Sequence, residues 1–119
     1  MRAKAGMSTE DIQKEAHIAF YLGMAYEENR RYHKAVRFYK RFLGFSKAME
    51  DKIGMALGAN RVAVNLFYDH QYSKSISFHH ENLKLSDNEN CFAAYYNLGV
   101  CHRALKQHEQ AVSCLDTAL

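Results

Sequence analysis

Apolar residues recur along the chain at the spacing of helix faces, and short polar clusters interrupt them at regular intervals. The first apolar stripe comprises Ile12, Ala16, Ala19, Phe20, Leu22, Gly23 and Tyr26. It ends at the polar cluster 27–31, and a second stripe follows at Ala35, Val36, Tyr39, Phe42 and Leu43. The pattern predicts two antiparallel helices joined by a short turn, the first beginning near Thr9 and the second near Tyr32. Ser8, with Asp11 three residues later, suits the start of the first helix.

The same alternation continues to the end of the chain. It predicts helices at about 51–68, 72–85, 91–105 and 108–119, with a turn at 69–71 and a polar break at 86–90. The chain contains no proline and only six glycines, so nothing interrupts the helices or resembles a linker. We therefore expect one all-α domain of three helical hairpins spanning residues 1–119.

A short motif repeats along the sequence. The segment from Tyr32 to Phe38, YHKAVRF, returns forty residues later as YSKSISF, and a weaker copy, HEQAV, begins at His108, thirty-six residues after that. The pairs Leu22-Gly23 and Leu98-Gly99 precede the first and third copies. A period of this length indicates stacked helical hairpins, and arrays of that kind usually bind other proteins.

These residues resemble the tetratricopeptide-repeat family, in which Leu-Gly, Tyr, Ala and an aromatic residue recur at fixed positions. The first copy matches at Leu22, Gly23, Tyr26, Ala35 and Tyr39, and the third at Tyr95, Leu98, Gly99, Ala111, Leu115 and Ala118. The second copy matches more loosely, at Val62, Ala63, Leu66, Ser75 and His79. The resemblance implies a right-handed superhelix, or α-solenoid, with repeats at about 16–49, 56–89 and 92–119, the last truncated.

The small residues have a steric reason to recur. We expect the two helices of each hairpin to approach most closely at Gly23 with Ala35, at Ala63 with Ser75 and at Gly99 with Ala111. The chain departs from the family pattern at Phe42 and Asn82, where a small residue is usual, and in lacking the terminal proline of each repeat.

The forty-residue step is longer than the common repeat of about thirty-four residues. The segment from Ser46 to Gly54 fills the extra length and resembles the joint of a forty-residue subclass found in spindle-orientation adaptors, rapsyn and ciliary repeat proteins. The resemblance implies longer helices, a deeper groove and a role as a scaffold or adaptor.

The resemblance also implies that the first helix of each hairpin lines a concave, mainly apolar groove for a partner helix or extended peptide. The groove positions are His17, Phe20, Met24, Glu27, Leu57, Asn60, Val64, Phe67, Ala93, Tyr96, Val100 and Arg103. The alternative is that Phe20, Met24 and Val100 simply pack against neighbouring helices. The carboxylate clamp by which family members hold chaperone tails is not expected, since its positions are occupied by Phe20, Met24, Arg61, Ala93 and Asn97.

Charge adds one alternative to this picture. The net charge is +3, and the basic residues cluster at Arg30, Arg31, Lys34, Arg37, Lys40 and Arg41. Nucleic acid or an acidic membrane could bind such a run, but we favour the alternative that it is the solvated back of the second helix, where basic side chains maintain solubility. We therefore expect no nucleic-acid partner.

Candidate chemistry is sparse. The seven histidines lack the spacing of metal ligands, His79 occupies a position suited to a packed neutral imidazole, and no phosphate loop or nucleophile elbow is present. We expect no catalytic residue, no metal and no cofactor. The longest uncharged stretch, 91–102, is too short to span a bilayer, and an odd number of cysteines, three, fits a reducing compartment. The expected location is the cytoplasm, with a cilium, flagellum or the cytoskeleton as further possibilities.

The sequence stops at Leu119, within the second helix of the third repeat and without a polar capping helix. We expect a fragment of a longer array in which Ala111, Cys114, Leu115 and Ala118 leave apolar surface uncovered. The uncapped helix would then favour self-association or helix exchange. The chain could also be a structural segment of such an array without a peptide site of its own.

Overall fold

The computed structural model describes residues 6–85 and 91–119, and that part of the chain consists of six α-helices without a strand. The helices are α1 (Thr9–Glu28), α2 (Tyr32–Ala48), α3 (Lys52–Tyr68), α4 (Tyr72–Leu85), α5 (Cys91–Ala104) and α6 (His108–Ala118). Each helix packs against the next along the chain, which gives an all-α helical-repeat solenoid. The predicted helices are confirmed to within a residue or two at their described ends, while the predicted polar break at 86–90 lies outside the described residues.

Two helices begin with side-chain caps. The Ser8 hydroxyl accepts a hydrogen bond from the backbone N–H of Asp11 at 3.1 Å, and the Asp51 carboxylate accepts one from the N–H of Gly54 at 3.0 Å. Each cap satisfies a backbone donor that has no partner within the helix. The helix start that the sequence predicts at Ser8 is confirmed.

The turns inside the three hairpins share one backbone conformation. Arg30, His70 and Lys106 all have positive φ, between 59° and 60°. In each turn the following residue donates its N–H to a carbonyl five positions earlier, as Arg31 does to Tyr26 at 2.8 Å. This left-handed closure stops the first helix and reverses the chain within three residues.

The hairpins close over small residues. The predicted approach of Gly99 and Ala111 is confirmed, since a methyl group at Gly99 would lie 3.4 Å from the Ala111 carbonyl oxygen. A methyl group at Gly23 would lie 2.8 Å from the Tyr39 ring, and one at Gly99 would lie 2.6 Å from the Leu115 side chain. The glycines therefore accommodate the large side chain one turn beyond Ala35 and Ala111, because that side chain crosses the interface. The predicted contact between the second pair is confirmed, since Ser75 Oγ donates to the Ala63 carbonyl at 2.6 Å.

The joint between the first two hairpins accounts for the forty-residue step. Both α2 and α3 are 17 residues long, whereas α4 and α5 have 14 residues each. A methyl group at Gly54 would lie 2.6 Å from both Ser46 Oγ and the Asp51 carboxylate, so this joint is closely packed around glycine. The extra residues thus lengthen the two helices and leave a three-residue turn at 49–51.

The main apolar core lies between α1, α2 and α3. It is formed by Ala35, Val36, Tyr39, Val62 and Leu66, with Phe20, Met24, Tyr26 and Phe78 packed against it. None of the helices in residues 6–85 and 91–119 is long and apolar enough to cross a membrane.

Candidate partner-binding groove

Two adjoining cavities lie between α3 and α5, the first helices of the second and third hairpins. The smaller, of about 180 Å³, is lined by Val64, Phe67, Tyr68, His79, Tyr96, Asn97, Val100 and Cys101. The larger is an open cleft of about 460 Å³ lined by Phe67, Val100, Arg103, Ala104, Lys106 and His108. Phe67 and Val100 border both, so the two cavities form one continuous surface, which we call the α3–α5 groove.

Five predicted groove residues meet in the α3–α5 groove: Val64, Phe67, Tyr96, Val100 and Arg103. Tyr96 is 50% exposed, so an apolar ring is presented to solvent at the wall of the smaller cavity. The Phe67 ring is held from the side by Tyr72, with ring centroids 5.2 Å apart. The structure therefore brings together two of the residues predicted on α3 and three of those predicted on α5.

The open cleft has a positive edge. Arg103 and Lys106 are both exposed, and within the described residues neither forms an ion pair. Lys106 is the residue of positive φ in the α5–α6 turn, which places it directly after the last turn of α5. Sequence reasoning missed Lys106 and His108, because only the turn brings them beside Phe67. The sequence signal that could have identified them is their position three and five residues after Arg103.

A buried imidazole lines the smaller cavity. His79 is 1% exposed, and burial, with a smaller contribution from the charge of His80, lowers the pKa of His79 to about 4. Its Nδ1 atom has no hydrogen-bond partner within the described residues. The side chain is therefore neutral at physiological pH, as the sequence predicts for this position.

The thiol of Cys101 also lines the smaller cavity. Cys101 is 1% exposed, and burial raises the pKa of its thiol while the hydroxyl of Ser75, 3.4 Å from Sγ, lowers it by less. Cys101 thus forms part of the apolar lining.

The α1 predictions divide. Phe20 and Met24 pack against the main core, and the Phe20 ring centroid lies 4.9 Å from that of Phe42 and 5.5 Å from that of Tyr39. Phe20 and Met24 therefore mainly pack against neighbouring helices, which was the alternative to a role in the groove. His17 is exposed on α1.

Glu27 is engaged by three side chains of the chain itself. Its Oε1 atom accepts hydrogen bonds from the Tyr39 hydroxyl and from Nδ2 of Asn65, both at 2.9 Å. Its Oε2 atom lies 3.5 Å from a guanidinium nitrogen of Arg61. Burial, followed by the hydrogen bond to Glu27, raises the pKa of Tyr39 well above its usual range. This network ties α1, α2 and α3 together.

The remaining predicted residues are accessible to different degrees. On α3, Leu57 is 38% exposed and Asn60 is half-buried, and Ala93 on α5 is exposed. They do not line the two cavities between α3 and α5.

The other candidate sites have the following surroundings. At the clamp positions, Phe20 and Met24 lie on the core and Arg61 is paired with Glu27. All six cations of the basic run, which lie on α2 and in the turn before it, are exposed. In the described part of the chain, no group of three or more His, Cys, Asp or Glu side chains is placed to hold a metal ion.

The fold and the repeat signature have counterparts in known proteins. Two family models described as tetratricopeptide repeat match the chain, one at residues 21–53 and one at residues 92–119, together just over half of its length. The crystal structure of the TPR domain of FLU from Arabidopsis is similar in fold, with a TM-score of 0.84 and 22% sequence identity over 90% of this chain and 93% of that one. No curated protein sequence matches the chain. Two separate repeat matches and a shared fold give the same answer: the chain belongs to the tetratricopeptide-repeat family.

Proposed function

We propose that this chain is a scaffold or adaptor module whose α3–α5 groove binds a helical or extended segment of a partner protein. The preferred segment carries a bulky apolar side chain followed or preceded by acidic residues. Members of the family typically act as interaction modules, which supports the general assignment. The observation that carries the proposal is the meeting of five predicted groove residues around two connected cavities.

The apolar part of the proposal rests on the smaller cavity. Val64, Phe67 and Val100 form its aliphatic and aromatic lining, and Tyr96 remains half exposed beside it. An anchor side chain from a partner would bury these surfaces and remove them from water. The unpartnered Nδ1 of His79 favours an anchor with a polar end, such as tyrosine, because a hydroxyl would satisfy that atom if it reached it.

The acidic part of the proposal rests on the positive edge of the cleft. Arg103 and Lys106 lie beside Phe67 and Val100 and have no acidic partner within residues 6–85 and 91–119. A carboxylate on the partner would form a charge-assisted hydrogen bond with either cation. Charge at this edge would mainly accelerate association and fix the orientation of the segment.

The basic run on α2 and the turn before it gives weaker support to nucleic-acid or membrane binding. Its cations partly cover rings of the chain itself, with Lys34 5.5 Å from the Tyr26 ring centroid and Arg41 5.4 Å from that of Phe38. Basic stems that cover aromatic surface have a structural role without any ligand. The basic run is thus better used as a control surface than as the main candidate for a binding site.

The test is selection of peptides from a random library displayed on phage, followed by affinity measurements on purified variants. We expect enriched peptides to combine an aromatic or large aliphatic residue with Asp or Glu. Tyr96→Ala and Arg103→Glu should each weaken binding about tenfold or more, equivalent to about 1.4 kcal/mol, because they remove the anchor wall and the positive edge. Isothermal titration calorimetry of the best peptide measures both.

The matched control is Arg37→Glu, an equal change of charge at an exposed residue of α2 that does not line the groove. It should change affinity less than twofold. Equal losses for Arg37→Glu and Arg103→Glu would show a general charge effect and reject the groove. Unchanged affinity in the folded Tyr96→Ala variant would also reject it. Glu27 is a poor probe, because its removal breaks the network with Tyr39 and Asn65.

A further inference from the structure

Two helices at opposite ends of the stack present apolar faces to solvent. On α1, Ile18 is 59% exposed, Tyr21 66% and Leu22 38%. On α6, Val112 is 58% exposed and Leu119 lies fully exposed directly after the helix. We call these two faces the α1 end and the α6 end of the described stack. Ala111, which the sequence places on uncovered surface, is instead 5% exposed because it lies inside the third hairpin.

The positions on α3 and α5 that correspond to the exposed face of α1 are covered by another helix. The residues of positive φ in the three hairpin turns, Arg30, His70 and Lys106, fix the register, at spacings of 40 and 36 residues. In this register Ile18 matches Gly58 and Ala94, and Leu22 matches Val62 and Leu98. All four matching residues are buried. They lie on α3 and α5, which the second helix of the preceding hairpin covers.

The α6 end corresponds in register to the face of α2 that packs on α3. In the same register Val112 corresponds to Val36, and Leu119 corresponds to Leu43. Val36 is 7% exposed and Leu43 4%, and Leu43 lies against Gly58 of α3, where a methyl group would be 3.1 Å from its Cβ. Val112 and Leu119 thus reproduce a surface that packs on the next helix elsewhere in the molecule.

The sizes of the side chains at the two ends are complementary. At the α2–α3 junction a large residue, Phe42, faces the smallest possible one, Gly58, with only 3.2 Å between the ring and a methyl group placed at residue 58. The corresponding residues at the two ends are Ala118 and Ile18. The large and small positions are exchanged, so the combined volume is kept and an α6–α1 junction would be filled.

We propose that a second copy of this chain stacks head to tail on the first, with the α6 end of one copy packed on the α1 end of the next in the manner of α2 on α3. This contact is heterologous, since two different surfaces meet, and it can continue into longer stacks. Val112, Ala118 and Leu119 do not line the two cavities of the α3–α5 groove, and the contact does not depend on peptide binding there.

The test uses sedimentation velocity on the 119-residue chain over a wide concentration range. The unmodified chain should rise from 13.7 kDa to twice that mass or more as its concentration increases. Leu22→Glu disables only the α1 end and Val112→Glu only the α6 end, so each variant alone should stay monomeric. An equal mixture of the two should form a dimer and nothing larger, because one intact pair of ends is left.

Ser73→Glu is the control, since Ser73 is exposed on α4, away from both ends, and this variant should associate like the unmodified chain. Circular dichroism should show the same helical content for all variants. A chain that is monomeric at every concentration overturns the proposal. So does a mixture that stays monomeric while the unmodified chain associates, because its intact pair of ends would then form no contact. A single variant that still dimerises alone also overturns it, because the contact would then join two identical ends.

Discussion

At the scale of single residues, His79 couples the fold to pH. Its imidazole is buried and its pKa is lowered to about 4 from an ordinary value of 6.5. The unfolded chain binds a proton at residue 79 below pH 6.5, whereas the folded chain does so only near pH 4. The contribution of His79 to stability is therefore complete above pH 6.5 and is lost as the pH falls toward 4.

We predict that the free energy of unfolding falls between pH 7 and pH 4 by a His79-dependent amount on the order of 3 kcal/mol. Urea denaturation of the unmodified chain and of His79→Phe at several pH values measures it as the difference between the two curves. Phenylalanine keeps an aromatic ring at this position and does not titrate. His80→Gln is the control, because His80 is exposed, and it should keep most of the pH dependence. Parallel curves for the unmodified chain and His79→Phe would contradict the prediction.

The burial of His79 could be predicted from the sequence, whereas the hydrogen-bond partners of Glu27 could not. The repeat register identified His79 as a packed position, and its burial confirms this. Glu27 is different, because its surroundings depend on Tyr39 and Asn65, which come from two other helices. A spacing rule gives the face of a helix on which a residue lies, but it does not give the hydrogen-bond partners that distant helices bring. Asn65 within the apolar stripe of α3 was the available signal.

At the scale of elements, the hairpin turns place ordinary residues in the left-handed region. Arg30 has a φ of 59°, a conformation that costs a residue with a side chain about 1–2 kcal/mol and glycine much less. Its neighbour Arg31 has a φ of −94°, which any residue adopts. Both side chains are exposed, so the two positions differ mainly in backbone conformation.

We predict opposite effects of glycine at these adjacent positions. Arg30→Gly should raise the free energy of unfolding by roughly 0.5–1 kcal/mol, because relief of the left-handed strain exceeds the entropy that glycine loses on folding. Arg31→Gly should lower it by roughly 0.5–1 kcal/mol, since only the entropy loss applies. Urea midpoints at unchanged m-value measure both. Destabilisation by Arg30→Gly comparable to that by Arg31→Gly would show that the turn is not strained.

The elements themselves were largely predictable. Apolar spacing and polar clusters located the helices, because amphipathic stripes must face a core whatever the tertiary arrangement. The close approach at Gly23 was predicted from its small size, but the sequence did not show that the Tyr39 ring fills the space there. The groove was predicted as twelve positions, of which five meet around the two cavities.

At the scale of the whole molecule, the core is unevenly distributed. The main cluster, including Val36, Tyr39 and Leu66, lies in α2 and α3, whereas Ala111 is the one buried residue recorded for α6. In a stack where each hairpin contacts only its neighbours, local stability follows the local interfaces. The α6 end should therefore open more often than the centre.

We predict that the backbone amides of α6 exchange with deuterium first and those of α2 and α3 last. Hydrogen exchange followed by mass spectrometry, at a concentration low enough to keep the chain monomeric, measures the order. Stacking should slow exchange in α6 and α1 at high concentration while leaving α4 unchanged. Uniform protection across the helices at low concentration would show that the chain unfolds as a single cooperative unit.

The pairing of Phe42 with Gly58 also determines the order in which hairpins can follow one another. If the second hairpin were deleted, the first would meet the third, and Phe42 would face Ala94, the register match of Gly58. A methyl group at that place would stand about 3.2 Å from the Phe42 ring and 3.1 Å from Leu43, so the junction would be overfilled. The side-chain volumes at each junction thus fit one particular pair of neighbouring hairpins. Duplication or loss of a hairpin during evolution would therefore require a compensating change of side-chain size on its neighbour.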